Sequence, residues 1–192
     1  MNTADTRTKI LDVAQDLIQR VGVNAMSYRD ISEAIGIRNA GIHYHFPTKD
    51  GLISALLERY SAYVLGLLDQ TIASPESAET KLRRYFALFE TTLLSGNQDK
   101  VCLGAMLGAE NESLDSSLTE QVANFYRANE SRLVVILTEG QQSGAFKFAG
   151  DAETMAVLVF STLQGGLLLS RVKGNVAEYR AMLERLIMVV KG

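Results

Sequence analysis

The stretch GIRNAGIHYHFPTK, residues 36–49, is the part of the chain whose side chains could do chemistry as a group. It holds both histidines and two basic residues, and it contains no acidic residue. Arg38 and Asn39 can donate hydrogen bonds to the edges of nucleic-acid bases, and arginine suits the O6 and N7 atoms of guanine. The donors suited to phosphate oxygens are His43, Tyr44, His45 and Lys49. The pattern therefore favours contact with a nucleic acid.

Small residues and helix starts support the same interpretation. Ala40 and Gly41 have almost no side chain, so a helix that carries them can approach the floor of a groove closely. Ser27 and Arg29 lie at the start of one predicted helix, and Lys49 lies at the start of another. The free backbone N–H groups at such positions favour an anion.

The elements that must position these residues are short helices. An i, i+3, i+4, i+7 apolar pattern predicts a first helix from about residue 5 to 21, closed at Gly22. Ser27 and Asp30 form a capping pair for a second helix that ends at Gly36. A third helix runs roughly from Asn39 to Tyr44. This order matches a helix-turn-helix, whose second helix lies in the major groove of DNA.

The rest of the chain is also predicted to be helical. Thr48 caps a long helix from Lys49 to about Ala73, a stiff lever almost 40 Å long at about 1.5 Å per residue. Further helices follow to the end of the chain, with a polar turn at residues 95–100 and predicted caps at Ser117 (paired with Glu120), Asp151 and Asn175. The prediction is an all-α protein of about nine helices. It divides into a DNA-binding domain, 1–48, and a ligand-binding and dimerisation domain, 49–192.

Composition narrows the classes of protein. The chain has 192 residues, a net charge of −3 and one cysteine, which excludes an internal disulfide. Residues 1–50 carry six basic and six acidic side chains, so any basic footprint must be local. The most apolar window, 155–170, is shorter than the roughly 20 residues that a membrane span needs. We expect a cytoplasmic protein without a signal peptide, a membrane anchor or a cofactor.

The stretch SYRDISEAIGIRNAGIHYHFPTKDGL, residues 27–52, resembles the helix-turn-helix of TetR-family (tetracycline-repressor-like) transcription regulators. Eight positions carry the match: Ile31, Gly36, Ile37, Ile42, His45, Phe46, Lys49 and Leu52. Arg38 replaces the family's usual small hydroxyl residue, and His43 stands where tyrosine is usual. We expect Phe46 to be a core residue. The resemblance implies a homodimer that binds a palindromic double-stranded DNA operator, most often as a repressor, and that a small-molecule inducer or an electrophile releases.

The resemblance also implies a dimer interface on the last two long helices and a ligand pocket within residues 77–172. The near-continuous apolar character of residues 155–169 independently suits burial on two sides. Interface candidates are Met155, Val159, Gly165, Gly166, Leu183, Leu186 and Ile187. Pocket candidates are Phe86, Phe89, Leu93, Cys102, Met106, Phe125, Tyr126, Phe160, Leu163 and Gln164. Each of these is also compatible with plain core packing, but together they indicate an apolar ligand with one polar handle at Gln164.

Cys102 has two open interpretations. It lies beside Lys100 near the start of a short helix predicted from Val101 to about Ala109, and both features favour the thiolate. The segment is similar to one in a TetR subgroup that senses electrophiles or oxidants through a cysteine. The alternative is an inert core residue.

Two other classes of protein are weaker. An enzyme would need a base beside a nucleophile, and the available acids, Glu110 and Glu112, lie in AENESLD, which is more simply a solvated loop. His43 and His45 are two residues apart on a helix and face different ways, so no metal site is expected. A membrane-surface bundle would need a long basic amphipathic face, which the sequence lacks.

Overall fold

A computed structural model describes residues 3–94 and 99–192, and within these ranges the protein is all-α, as predicted. Two 3₁₀ turns, at Thr91–Leu93 and Asn111–Ser113, accompany the nine α-helices of the described residues. The helices are α1 (Thr3–Val21), α2 (Tyr28–Ile35), α3 (Asn39–His45), α4 (Lys49–Ala73), α5 (Ala78–Glu90), α6 (Leu103–Ala109), α7 (Ser116–Gln142), α8 (Ala152–Lys173) and α9 (Val176–Lys191).

The chain forms two compact units. The first takes the chain up to Ala62 together with Leu103–Asn124, and the second takes Tyr63–Cys102 together with Phe125–Gly192. The polar turn expected at residues 95–100 lies largely outside the described residues. The division into domains at residue 48 remains a prediction.

The first unit is built on the helix-turn-helix elements. The inner face of α1 buries Ile10, Ala14 and Ile18 completely, which confirms three positions of the predicted apolar pattern, whereas Val21 at its end is 51% exposed. The predicted capping box of α2 is present: the side chains of Ser27 and Asp30 each accept from the other's backbone N–H. Gly36 then ends α2 with a φ of +70°, a left-handed conformation that favours glycine.

Helix α6 and the start of α7 complete the first unit. The predicted short helix at this place is confirmed, although it begins at Leu103 rather than Val101. The predicted cap of α7 at Ser117 is wrong. The carboxylate of Asp115 accepts from the backbone N–H of Leu118 at 2.7 Å, so the helix starts two residues earlier than the capping pattern indicates.

The second unit is a bundle that includes α5, α8 and α9. The predicted caps of α8 and α9 are confirmed, because Asp151 accepts from Thr154 N–H and Asn175 accepts from Glu178 N–H. Lys81 of α5, 5% exposed, binds both carboxylate oxygens of Glu139 on α7, at 3.0 and 2.8 Å. A buried lysine needs such a partner, so this pair ties α5 to α7.

Two helices are long and apolar enough to cross a membrane by length and composition alone, Lys49–Ala73 and Ala152–Lys173. Both have a substantial share of their most apolar window buried inside the protein. Core helices of folded bundles pass the same test, so this is weak support for a membrane protein.

Candidate functional site

Helix α3 presents one face to solvent and holds the other in the core. Ile42 is fully buried and Phe46, just after the helix, is 4% exposed, which confirms Phe46 as a core residue. Tyr44 is 76% exposed, an unusual exposure for an aromatic side chain. The other exposed residues of this face are Arg38, Asn39, Ala40 and His43. The residues that the sequence singled out for base contacts therefore share one accessible surface.

Arg38 occupies the N-cap position of α3 but makes no capping hydrogen bond. Ser, Thr, Asp or Asn at this position would satisfy a free backbone N–H, so arginine forgoes roughly 1 kcal/mol of helix stability. Among the described contacts, Arg38 is also the one basic residue of positions 1–50 without a partner. The other five are engaged: Arg7, Lys9, Arg20, Arg29 and Lys49. The guanidinium of Arg38 is therefore available to an external acceptor.

Tyr28 is a residue of this surface that sequence reasoning missed. Its hydroxyl donates to the carbonyl oxygen of Phe46 at 2.8 Å, and its ring lies 4.8 Å from the ring of His43. His45 is half-buried and packs edge-on against Tyr44, with ring centroids 5.2 Å apart. Tyr28 thus links the start of α2 to the end of α3. Only the tertiary fold brings these positions together.

Gly41 is half-buried, and a β-carbon added there would lie 3.3 Å from Cδ1 of Ile37.

Ser27 and Arg29 are exposed at the start of α2, but both make hydrogen bonds to nearby residues. Ser27 exchanges hydrogen bonds with Asp30, which hold the pKa of that carboxyl below its usual range. Arg29 pairs with Glu33 at 2.8 Å in an exposed i, i+4 ion pair that a phosphate could replace.

Lys49 makes internal contacts that the sequence did not predict, and its phosphate contact remains a prediction. Its ammonium donates to the carbonyl oxygens of Val23 and Met26 at 2.6 and 2.7 Å, and its side chain is partly buried. An ammonium has three N–H bonds, so at most one remains for a phosphate. Lys49 holds the turn between α1 and α2 in place. Val23 lies 26 residues before Lys49 in the sequence, so no local pattern could reveal this contact.

Glu110 also departs from the sequence interpretation. Its carboxylate accepts from the backbone N–H groups of Val23 and Asn24, at 2.5 and 3.2 Å. The segment AENESLD is therefore not merely a solvated loop, and Glu110 acts in packing rather than as a catalytic acid. Glu112, two residues later, is exposed as expected.

In the second unit, several predicted pocket residues form one aromatic cluster. Phe160 lies 6.1 Å from Phe89 and 5.7 Å from Tyr126, in edge-to-face arrangements, and Phe125 lies 6.1 Å from Tyr126. Phe86, Leu93 and Leu163 are buried in the same unit. Met106 belongs to the first unit, so its place in a pocket remains a prediction.

Gln164 and Tyr179 carry the buried polar atoms that lack partners in the part of the chain that the structure describes. Both side-chain amide atoms of Gln164 are inaccessible and make no hydrogen bond, and the hydroxyl of Tyr179 is in the same situation. Leaving such a group unsatisfied costs about 1–3 kcal/mol. These unsatisfied donors and acceptors lie on α8 and α9, and whether they receive a ligand remains a prediction.

Cys102 is fully buried and lies directly before the first residue of α6. Burial, with a smaller contribution from the Cys102 thiol, raises the pKa of Tyr126 to about 12. Burial, and to a smaller extent Cys102, also raises the pKa of Tyr85. The pKa of Tyr179 is raised by burial first, and then by Glu90 and Cys102. Reactive cysteines are usually accessible, so complete burial weighs against a poised thiolate.

Most of the predicted dimer residues are buried within their own chain, so their role in an interface remains a prediction. Within the chain, the buried ones are Met155, Val159, Gly166, Leu183, Leu186 and Ile187. Their 3–4 spacing marks the stripe that packs inside their own unit. The exposed apolar side chains of these helices are Val157, Leu158, Leu168, Leu169, Val172, Met188 and Val189. Both sets of side chains are apolar, so sequence periodicity alone could not distinguish the buried set from the exposed one.

The two adjacent glycines of α8 also differ. A β-carbon on Gly166 would lie 2.5 Å from Cε of Met182 and 2.9 Å from Cε2 of Tyr179, both on α9. Gly166 therefore allows a close approach within the chain rather than between chains. Gly165 meets nothing within 4 Å and remains on the outward side.

A capped α2, a glycine turn and an exposed α3 anchored by Ile42 define a helix-turn-helix protein. Family comparisons agree. The model described as bacterial regulatory proteins of the tetR family matches residues 10–56, and the model described as the tetracyclin repressor-like C-terminal domain matches residues 78–186. The second match alone covers more than half of the chain. The chain belongs to the TetR family of transcriptional regulators, which are not enzymes.

Solved structures resemble the whole chain. A TetR-family regulator from Agrobacterium tumefaciens is 28% identical with a TM-score of 0.94, and all of both chains is covered. A TetR regulator from Legionella pneumophila is 31% identical with a TM-score of 0.85, covering 100% of this chain and 98% of that one. The repressor KstR2 of Rhodococcus jostii is 26% identical over 58% of this chain. The alignments span 44% of KstR2 and 35% of the Bacillus subtilis regulator YvkB, less than half of each relative.

Proposed function

We propose that the protein is a cytoplasmic, ligand-responsive repressor that binds a palindromic operator as a homodimer and is released by a small molecule. The observation that carries the proposal is the exposed face of α3, where Arg38 makes no capping hydrogen bond and its guanidinium has no partner among the described residues. Repression is the activity that the name of the Rhodococcus relative gives to that protein. The family's regulators bind operators and small molecules, typically as dimers.

The roles of the DNA-binding residues follow from their contacts. Arg38 and Asn39 supply base contacts at the exposed start of α3, where arginine can pair with guanine. Phosphate contacts come from the exposed residues His43, Tyr44 and Arg29, with His45 and the hydroxyl of Ser27 beside them. Gly41 has no side chain, so it allows the backbone of α3 to approach the floor of the groove closely. Lys49 contributes mainly by holding the turn between α1 and α2.

A gel-shift series with the protein's own upstream region tests the DNA-binding proposal. We expect one palindromic site to bind in preference to shuffled DNA, with affinity that falls steeply as salt rises. Arg38→Ala should abolish the preference for particular bases, whereas Arg20→Ala, which removes a cation paired with Asp16 on α1, should not. Equal binding to all sequences by the wild type at every salt concentration would overturn the proposal.

The dimer rests on the outward apolar stripe of α8 and α9. Seven large apolar side chains with at least 39% exposure lie on these two helices, among them Leu169 at 59% and Val172 at 86%. Several large exposed apolar side chains on two successive helices are what an interaction surface would present. A twofold dimer built on it would present two copies of α3 to half-sites about 34 Å apart, one turn of DNA.

The ligand site rests on the aromatic cluster of Phe89, Tyr126 and Phe160, together with the unsatisfied groups of Gln164 and Tyr179. The aromatic side chains suit an apolar, partly aromatic molecule. The amide of Gln164 and the hydroxyl of Tyr179 suit a neutral polar group on that molecule, such as a carbonyl or a hydroxyl. An anionic group is disfavoured, because burial already raises the pKa values of Tyr126 and Tyr179 by penalising their charged forms.

Release by a non-covalent ligand is favoured over modification of Cys102, because this thiol is completely buried. Sensing through the cysteine remains a prediction with a direct test. Cys102→Ser removes the nucleophile and changes little else. The variant should respond to a non-covalent inducer as the wild type does, and a response to electrophiles that the variant loses would establish the thiol as the sensor.

A further inference from the structure

The peptide unit around Val23 is held by two charged side chains of opposite sign. The carboxylate of Glu110 accepts from the N–H of Val23 at 2.5 Å, and the ammonium of Lys49 donates to its C=O at 2.6 Å. Glu110 also accepts from Asn24, and Lys49 also donates to Met26. We refer to Glu110, Lys49 and the backbone of residues 23–26 as the charge clamp.

The backbone has room for the clamp because residue 22 is glycine. A β-carbon on Gly22 would lie 2.5 Å from Oε1 and 2.9 Å from Cδ of Glu110, inside any acceptable contact. Gly22 also has a φ of +87°, which disfavours other residues. Asn24 adds a neighbouring link, since its Nδ2 donates to Oγ of Ser113 at 2.9 Å. All these groups belong to the first compact unit.

The clamp joins three elements at one point. Lys49 is the first residue of α4, and Glu110 follows the last residue of α6. Residues 23–26, to which both side chains are hydrogen-bonded, are followed by Ser27, the N-cap of α2, and then by α2 and α3. Hydrogen bonds to ionised groups are about twice as strong as neutral ones, so the turn has little freedom to move independently of α4 and α6.

We propose that Glu110 is a positioning residue for operator binding: through the charge clamp it makes the position of α6 set the position of the recognition helix. This inference rests on the proposed function. It differs from a purely structural role, in which Glu110 would only stabilise the folded turn. Helix α6 begins at Leu103, directly after Cys102, and its seven residues end just before Glu110. If the start of α6 moves, the helix would transmit that movement to Glu110 and so to the turn between α1 and α2.

Operators with altered half-site spacing separate the two roles. We would measure binding of Glu110→Ala, Glu110→Gln and the control Glu112→Ala to palindromes of the optimal spacing and of spacings changed by one base pair. Rigid recognition helices should discriminate sharply among these operators, because dimers match half-sites a fixed distance apart. Glu112 is an exposed carboxylate of the same turn, and its removal should leave binding unchanged.

We expect Glu110→Ala to weaken binding to the optimal operator about tenfold, the effect of losing roughly one charge-assisted hydrogen bond. Binding to the altered spacings should fall much less, so that the discrimination shrinks. Glu110→Gln keeps one acceptor oxygen and should lie between the alanine variant and the wild type. Equal loss at every spacing, or no loss in a folded Glu110→Ala protein, would overturn the proposal.

Hydrogen exchange gives a readout that does not need DNA. In Glu110→Ala the amides of Val23 and Asn24 and those of α2–α3 should exchange about tenfold faster, while Glu112→Ala should match the wild type. If the wild type binds no palindrome, the proposed function fails and a role in operator binding fails with it, whatever the exchange rates show. If the wild type binds one, faster exchange of α2–α3 together with the turn supports the positioning role of Glu110, and a change confined to the turn, or no change, refutes that role alone.

Discussion

Gly166 of α8 faces Met182 of α9 so closely that an added β-carbon would lie 2.5 Å from the methionine Cε and 2.8 Å from its Sδ. The ring of Tyr179, itself 2% exposed, closes the other side at 2.9 Å. The side chains of Met182 and Tyr179 therefore occupy the space that a β-carbon at residue 166 would need.

Replacing Gly166 with alanine should consequently destabilise the protein by about 1–3 kcal/mol, the usual cost of overpacking a core. The Met182 methyl can move, but the buried Tyr179 ring cannot. Chemical unfolding would measure the change. Gly66→Ala is the matched control, because Gly66 lies inside α4 with open space around it. Alanine there should increase the free energy of unfolding by up to about 1 kcal/mol, since it favours the helix more than glycine does. Equal effects of both substitutions would contradict the close packing.

Arg38→Ser should make the protein more stable and less selective. Serine at this N-cap position can accept from a free backbone N–H of α3, which arginine does not do, and should add about 1 kcal/mol to the free energy of unfolding. The loss of the guanidinium should relax the preference at particular base pairs. Urea unfolding and binding to a library of single-base operator variants would measure the two effects. Unchanged selectivity would remove Arg38 from the base contacts.

Lys49→Ala should act on stability more than on ionic contacts. Two hydrogen bonds from an ammonium are lost, so we expect the free energy of unfolding to fall by about 1–3 kcal/mol. The slope of log affinity against log salt should change by well under the value of about 0.9 expected for one lost phosphate contact. A stable variant whose slope falls by a full contact would restore the phosphate role.

Tyr179→Phe removes a buried hydroxyl that has no partner in the described structure. The ligand-free protein should therefore become more stable by about 1 kcal/mol, because an unsatisfied polar group is lost without a cavity. Affinity for the inducer should fall about tenfold if the hydroxyl receives its polar group. Tyr85→Phe is the control, since that hydroxyl already has Asn129 as a neighbour at 3.4 Å. A destabilised Tyr179→Phe protein would show that the hydroxyl is satisfied internally.

Val172→Glu should dissociate the dimer. This side chain is 86% exposed within the chain, so the substitution costs the folded subunit little, whereas a carboxylate in an apolar interface is strongly unfavourable. Sedimentation velocity should show monomers at concentrations where the wild type is dimeric. Val21→Glu, an exposed valine on α1, is the control. Dimers of undiminished stability would place the interface elsewhere.

Local features of the sequence predicted the fold well. The caps at Ser27, Asp151 and Asn175 depend on contacts three residues apart, and all three occur in the structure. The predicted cap at Ser117 is wrong because Asp115 offers an equivalent oxygen two residues earlier and caps the helix instead. The local pattern fits both residues, so it could not choose between them.

The contacts of charged residues could not be predicted, since they join distant parts of the chain. Lys49 reaches back 26 residues to Val23, and Glu110 reaches back 87. A lysine before a long helix has the same local pattern whether it binds a phosphate or a carbonyl oxygen. The choice between interior and partner faces of α8 was similarly hidden, because Val159 and Val157 look alike in sequence although only the first is buried.

Helix α3 is secured to the protein by a single fully buried side chain, Ile42, with Phe46 just beyond it. Four of its other positions, Asn39, Ala40, His43 and Tyr44, are exposed and contribute little to the buried core. Mutation can therefore rewrite them without unfolding the subunit, so this helix is a natural starting point for regulators retargeted to new control sequences. Selection experiments that randomise these positions while keeping Ile42 should yield folded proteins at high frequency.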